Sequence, residues 1–246
     1  MVFARSNSTS ERGNVLFLVL IAVALFAALA YAVTKSTRPS DEITEEEQSA
    51  FNSAVMSQYP ASLRTSLVRM VLAGTEAEKV KFNAPSDFAD VEEVSELVFH
   101  PNGGAAVFQH ASAEVMAGDS QGEWSFNANF FIPEVGIEDT EAGNDIIAFL
   151  PGVSKAVCEN INTELALDVS SCALEGNIPL LAKDTDEQKI TQLMDDSYSF
   201  PETAEVLQGE GCTVFTGELS GCFYDPDIKV GDKTGANVYY FVLKEK

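Results

Sequence analysis

The hydrophobic pattern of the chain begins with one long apolar run. From Val15 to Val33 no residue is charged, and none is proline or glycine. At about 1.5 Å per residue a helix of this length is just under 30 Å long, roughly the thickness of the hydrocarbon core of a bilayer. The run therefore predicts a transmembrane helix, although Ala28-Leu29-Ala30 or Ala30-Tyr31-Ala32 also suits a signal peptidase. A permanent anchor, a cleaved signal and an assembly helix remain open.

A second helix is predicted from apolar residues at every fourth position. They are Phe51, Val55, Tyr59, Leu63, Leu67 and Val71, with Ala50, Ala54 and Met70 beside them. This spacing indicates one apolar stripe on an amphipathic helix that ends at about Ala73, where Gly74 supplies a C-cap. The stripe keeps its spacing across Pro60, so we expect the proline to kink the helix rather than end it.

Beyond Val80 the pattern changes to short β-like runs between glycine and asparagine turns. Strands are predicted at 96–99, 106–109, 124–132 and 238–243. Helices are predicted at 153–164 and 184–194, and Ile147 and Leu150 share the helical spacing of the first. This order predicts an α+β fold: a long N-terminal hydrophobic-then-amphipathic helix, then a globular head with an antiparallel sheet and short helices. We expect a leader at 1–13, the long helix at 14–73 and the head at 74–246.

The charge of the chain is strongly acidic. It carries 38 acidic and 15 basic residues, a formal net charge of -23. Such a surface repels phosphate backbones and anionic lipid headgroups, so we expect no nucleic-acid partner. Otherwise we interpret the excess of acidic residues as a feature that keeps the protein soluble.

Four cysteines lie in the C-terminal third: Cys158, Cys172, Cys212 and Cys222. None forms a C-x-x-C pair, and an export or membrane segment precedes them, so we expect disulfides in an oxidising compartment. Three pairings exist. The local one, Cys158 with Cys172 and Cys212 with Cys222, is favoured because each bridge closes a short loop.

Two groups of residues are candidate metal ligands. His100 and His110 flank an Asn-Gly-Gly turn and could face each other across a hairpin, but two histidines supply only half of a tetrahedral site. Asp225, Asp227 and Asp232 lie in an acidic, glycine-containing loop that suits calcium but lacks the EF-hand spacing. We expect no other cofactor.

Catalytic signatures are absent from the sequence. It has no G-x-S-x-G, H-E-x-x-H, P-loop or G-x-G-x-x-G motif, and its carboxylates are too numerous for any pair to stand out. We therefore expect no enzymatic activity. An extracytoplasmic hydrolase that uses carboxylates is the enzymatic alternative.

The N-terminal segment resembles type IV pilins and pseudopilins. The resemblance lies in a short polar leader ending in "SERG", an apolar helix and the amphipathic helix that follows, about the first seventy residues. In that family a prepilin peptidase cuts after the glycine, which implies processing between Gly13 and Asn14. The family usually has a glutamate as the fifth mature residue, used in subunit docking, and Leu18 occupies that position. Some minor pseudopilins also lack it.

This resemblance implies a structural or adhesive filament subunit, which self-associates through its N-terminal helix after insertion in the inner membrane. The head would be extracytoplasmic, at the cell surface or on an extracellular filament, and a calcium ion in its C-terminal loop would fit the family. The alternative is a single-pass anchored or secreted binding domain that does not polymerise.

Overall fold

The computed structural model describes residues 12–36, 43–136, 144–181, 187–207 and 211–245. Within them, the side chains of residues 12–16, 34–36, 43–46 and 187–188 lie outside the description. The described chain divides into two compact units, with a boundary in the sequence between Glu47 and Gln48. Each unit is taken by itself below.

The first unit contains helix α1, Arg12–Ser36, and the start of α2. The predicted leader lies outside the described residues except for its last two. None of the helices in the described part of the chain is both long enough and apolar enough to cross a membrane.

The second unit is α+β, with an antiparallel sheet and short helices, as predicted. Its helices are α2, Ile43–Leu72, which begins in the first unit, α3, Lys155–Glu164, and α4, Glu187–Thr191. Its strands are β1, Ser125–Asn127; β2, Phe130–Phe131; β3, Ile146–Val153; β4, Leu174–Glu175; β5, Ile178–Pro179; β6, Glu205–Val206; β7, Ser220–Val230; and β8, Lys233–Lys244. The main sheet has the order β1-β3-β8-β7, with every neighbouring pair antiparallel.

Strand β3 corrects one sequence prediction. Ile147 and Leu150 were assigned to helical spacing, but the whole segment is a strand between β1 and β8. Ile147 and Phe149 enter one hydrophobic cluster, whereas Ala148 and Leu150 enter the clusters that contain residues of α2 and α3. A strand buried on both faces reads as a continuous apolar run, so periodicity does not distinguish it from a buried helix.

The strands predicted at 96–99 and 106–109 are also wrong. The chain folds back between them through Gly103 and Gly104, whose added Cβ atoms would come within 2.2 Å of the Leu97 carbonyl oxygen and 2.4 Å of that of Val98. This tight turn contains no ladder, and the second segment forms no strand. The other two predicted strands correspond to β1 with β2 and to part of β8.

Helix α2 ends close to the predicted position, with Pro60 inside it and Gly74 at φ +105° after it. The predicted stripe is only partly buried. Leu63 and Leu67 lie in the core, whereas Phe51 and Val55 are exposed. A spacing of four residues advances about 40° around the helix at each step, so the ends of a long i,i+4 row turn away from the core.

Candidate functional site

The predicted processing residues lie at the start of α1. Gly13 and Asn14 belong to its first turn, and the surroundings of their side chains lie outside the described residues. Cleavage between them stays a prediction.

Further along α1 the side chains form a continuous apolar surface. Every residue from Phe17 to Val33 is exposed, and Phe26, one of the larger ones, is 75% exposed. Leu18, at the position where the resembled family carries a glutamate, is among them. Contiguous exposed apolar surface of this kind marks a region that another protein or a membrane covers.

All four cysteines form disulfides, but the favoured local pairing was wrong. Cys158 pairs with Cys222, and Cys172 pairs with Cys212. The bridges are nested, since the second lies inside the loop closed by the first. The Cα atoms are 5.4 Å apart in the outer bridge and 4.5 Å apart in the inner one. Tertiary packing of α3 on β7 brings distant cysteines together, which loop length along the sequence does not reveal.

The outer bridge sits beside a polar contact that joins the same two elements. The Asn162 side chain of α3 donates to the Cys222 carbonyl oxygen and accepts from the Cys222 amide, both at 2.9 Å. The buried Asn162 side chain therefore satisfies both backbone hydrogen-bonding groups of Cys222 in β7. Nothing in the sequence pattern pointed to this asparagine. Together the bridge and the asparagine hold α3 on the sheet.

The aspartates proposed for calcium lie at two places in the β7–β8 hairpin. Asp225 is buried, and its Oδ1 accepts from the amides of Asp227 at 2.9 Å and Ile228 at 3.2 Å, where β7 has a register shift. Asp232 lies in the turn between β7 and β8, beside Gly231 at φ +60°. The described residues contain no group of three or more histidine, cysteine or carboxylate side chains that could hold a metal ion. Calcium at this loop stays a prediction.

The two histidines each pack against a phenylalanine. The ring centroid of His100 is 5.0 Å from that of Phe88, and its Nδ1 accepts from the Asn102 amide at 3.1 Å. The centroid of His110 is 5.4 Å from that of Phe108. The predicted hairpin that would align the two imidazoles does not form, because neither 96–99 nor 106–109 is a strand.

A cleft of about 380 Å³ lies at the C-terminal end of α2. Its charged lining residues are Glu76, Lys79 and Glu96. Glu76 pairs with Lys79 at 3.0 Å, and Glu96 pairs with Lys81 at 3.5 Å. The Glu76 side chain, through its hydrogen bond to Lys79, raises the pKa of that ammonium. Lys81 also pairs with Asp196 at 2.6 Å, so both ammonium groups at the cleft are already paired with carboxylates.

Buried tyrosines give the clearest shifts in acidity. Burial raises the pKa of Tyr59 and of Tyr198 to about 12. The Tyr198 hydroxyl also donates to Asn129 Oδ1 at 3.0 Å and accepts from the Ala128 amide at 2.8 Å. Both phenols therefore stay protonated at neutral pH and act as structural groups there.

Comparison of the chain with protein-family models, with curated proteins and with solved structures finds no match.

Proposed function

We propose that the protein is a structural subunit of a type IV pilus-like or secretion pseudopilus filament. In this proposal the apolar segment Val15 to Val33 first inserts in the inner membrane. It then leaves the membrane and packs against the same segment of neighbouring subunits, while the extracytoplasmic head faces outward.

The observation that carries the proposal is the exposed surface of α1. Its side chains from Phe17 to Val33 are apolar and exposed without interruption. Full burial of each larger side chain stabilises an interface by roughly 1.5–3 kcal/mol. Such a surface strongly favours association with other copies or with lipid.

Two further features support the proposal. The apolar segment precedes a long amphipathic helix whose buried side, including Leu63 and Leu67, belongs to the core of the head. Both disulfides fit an extracytoplasmic compartment, because thiols in the cytosol are kept reduced.

The first test is the intact mass and N-terminal sequence of the protein from its native membrane and extracellular fractions, without reduction. A mature chain that begins at Asn14 is expected. A chain that retains Met1 or Val2 would indicate a permanent anchor, and one that begins at Val33 would indicate a secreted domain. Either result contradicts the proposal.

The second test concerns assembly. A Phe26→Arg substitution places a charge in the middle of the apolar surface, and we expect it to abolish filaments in sheared cell-surface fractions viewed by negative-stain microscopy. Thr65→Arg is the matched control, because Thr65 is exposed on α2 and polar. Filaments that persist with Phe26→Arg would contradict assembly through this helix.

A further inference from the structure

One segment of the head, between α3 and β5, lies almost entirely at the surface. It runs from residue 166 to residue 177, and none of its residues is buried. Three of them, Leu167, Val169 and Cys172, are partly buried and pack against a hydrophobic cluster, and all the others are exposed. We call residues 166–177 the arm.

The hydrogen bonds of the arm are local. At its start the Leu167 amide donates to the Asn162 carbonyl oxygen at 3.1 Å, and near its end β4 pairs with β5. Among the described residues, the hydrogen bonds of the arm all have their partners between Asn162 and Leu180. No hydrogen bond within this described part therefore joins the arm directly to the main sheet.

The arm begins at a strained residue. Ala166 follows the last turn of α3 at φ +52°, in the left-handed region where the Cβ of alanine is crowded and where helices usually end with glycine. Its amide donates to the Thr163 carbonyl oxygen at 3.0 Å. A strained backbone of this kind persists only where the surrounding contacts hold it. The arm therefore depends on contacts further along its length to stay in place.

The inner disulfide supplies such a contact. It joins Cys172 of the arm to Cys212, which is 2% exposed and belongs to the same hydrophobic cluster as Val214 and Phe215. The segment around Cys212 is anchored without the arm, since these side chains are buried and the nearby Gly217 amide donates to the Pro133 carbonyl oxygen at 2.8 Å. The bridge and the packing of three partly buried side chains thus hold the arm on this part of the head.

The two disulfides differ in their access to solvent. Both cysteines of the outer bridge, Cys158 and Cys222, are 0% exposed. In the inner bridge Cys212 is buried, whereas Cys172 is partly buried and lies between two exposed residues. A thiolate breaks a disulfide by attacking one of its sulfur atoms, so the rate depends on access to that atom. Of the four cysteines, Cys172 is the one that a thiolate in solution reaches most easily.

We propose that the inner bridge is a site of thiol–disulfide exchange, at which a dithiol attacks the sulfur of Cys172 and releases the arm. In the first step a thiolate of the dithiol forms a mixed disulfide with Cys172, and Cys212 leaves with the electron pair of the broken bond and takes a proton. In the second step the other thiol of the reagent loses its proton, closes a disulfide within the reagent and displaces Cys172, which is protonated in turn. Two electrons and two protons thus pass from the dithiol to the bridge.

The nested arrangement confines the effect of this reaction to the arm. The outer bridge still closes the loop around it, and the Asn162 side chain still holds α3 on β7 through Cys222. Opening of the inner bridge therefore frees residues 166–177 while the rest of the head stays folded. The exchange site does not depend on α1 and is independent of the proposed filament.

The first test measures the reduction of each bridge in the folded, full-length protein. The oxidised protein in detergent micelles is incubated with dithiothreitol without denaturant, quenched with N-ethylmaleimide at intervals, and digested for mass spectrometry of the four cysteines. We expect Cys172 and Cys212 to be labelled together, at a rate at least tenfold higher than Cys158 and Cys222, because the outer bridge is reached only by unfolding of the head. Equal rates, faster opening of the outer bridge, or no labelling until denaturant is added would each overturn the inference.

The second test identifies the sulfur that is attacked. An uncharged monothiol, 2-mercaptoethanol, forms the mixed disulfide but cannot close a ring, so an early quench keeps the adduct on the attacked cysteine. We expect the adduct on Cys172 and the maleimide on Cys212 in at least nine tenths of the opened molecules. An adduct mainly on Cys212, or equally on both, would contradict attack at Cys172.

The third test asks whether the arm is released. A glutamate-specific protease should cut after Glu175, in the arm, at least tenfold faster once the inner bridge is reduced, while cleavage after Glu159, in α3, stays slow. The fluorescence of Trp124, which packs against Tyr59 and Tyr239 away from the arm, should not change. Reduction without faster cleavage after Glu175 would show that packing alone holds the arm and would overturn its release.

Variants provide the matched comparison without any reductant. Cys172→Ala/Cys212→Ala should be cut after Glu175 as fast as the reduced protein. Ser171→Ala/Thr213→Ala changes the exposed residues beside the two cysteines but keeps the bridge, and it should be cut as slowly as the oxidised protein. Equal cleavage of the two variants would contradict the role of the bridge. If the exchange occurs while filaments and processing at Asn14 are absent, the proposed function fails and this inference stands.

Discussion

Removal of the outer disulfide with Cys158→Ala/Cys222→Ala is expected to lower the free energy of unfolding by about 4–5 kcal/mol. The inner bridge remains closed in this variant, so the outer bridge constrains only the chain from Cys158 to Cys172 and from Cys212 to Cys222. In the chain-entropy model such a loop of about 26 residues contributes about 3.5 kcal/mol. Both outer sulfur atoms are buried, and the small cavities left by alanine add about 1 kcal/mol.

The unfolding assay is urea denaturation of the full-length protein in detergent micelles, followed by tryptophan fluorescence. The matched control is Cys172→Ala/Cys212→Ala. It removes a bridge of comparable loop entropy, but Cys172 is only partly buried, so a somewhat smaller loss is expected. A loss below about 1 kcal/mol for the outer pair would refute the reasoning, since a native disulfide in a small domain typically contributes 2–5 kcal/mol.

Thiol counting tests the pairing itself. In Cys158→Ala/Cys222→Ala, alkylation without reduction should find no free thiol, because Cys172 and Cys212 stay bonded to each other. Two free thiols in the folded variant would mean that each removed cysteine had been paired with one of those that remain. Such a result would contradict the nested arrangement.

Peptide mapping gives the same answer in the unmodified protein. Trypsin should release fragment 156–183, with Cys158 and Cys172, joined to fragment 190–229, with Cys212 and Cys222. Local pairing would leave the two fragments unlinked. Further digestion at glutamate separates the two cysteines of each fragment, and a Cys158 peptide joined to a Cys222 peptide distinguishes nested from crossed bridges.

Three other changes test the packing of the head. Asn162→Ala leaves two buried backbone groups of Cys222 without partners and should lower the free energy of unfolding by roughly 3 kcal/mol in urea titrations. Thr163→Ala is the control, since Thr163 is exposed, and it should change the free energy of unfolding little. Gly104→Ala places a Cβ within 2.4 Å of the Val98 carbonyl oxygen and should lower it by about 1–3 kcal/mol; an unchanged urea midpoint would contradict this close packing. Alkaline pH should destabilise the fold, because the pKa of Tyr59 is about 12 when folded and about 10 when unfolded. The stability that protonated Tyr59 contributes is complete below pH 10 and is lost as the pH rises to 12. The urea midpoint of Tyr59→Phe should therefore fall less between pH 9 and 11 than that of the unmodified protein.

The elements that the sequence predicted well depend on neighbouring residues. The amphipathic helix ended where Gly74 permits a positive φ, and α3 begins after Ser154, whose hydroxyl accepts from the Val157 amide. The error in α2 lay in its orientation. A row of residues four apart specifies a helix, but only the position of the sheet decides that Leu63 is buried and Phe51 is not.

The candidate surfaces divide in the same way. The apolar surface of α1 is readable from composition alone, since every side chain along it is apolar. Residues 106–109 were predicted as a strand because Val107 and Phe108 have strand propensity, and nothing local shows that this segment stays outside the sheet.

The sequence by itself thus determined the apolar N-terminal segment, the amphipathic helix, the α+β class and the commitment of all four cysteines to disulfides. Each depends on composition or on hydrogen bonds between residues a few positions apart. Only the tertiary structure decided that Cys158 meets Cys222, that β3 is buried on both faces and that Asp225 is buried and accepts from the amides of Asp227 and Ile228. Those outcomes come from burial between residues far apart in the chain, which local pattern does not encode.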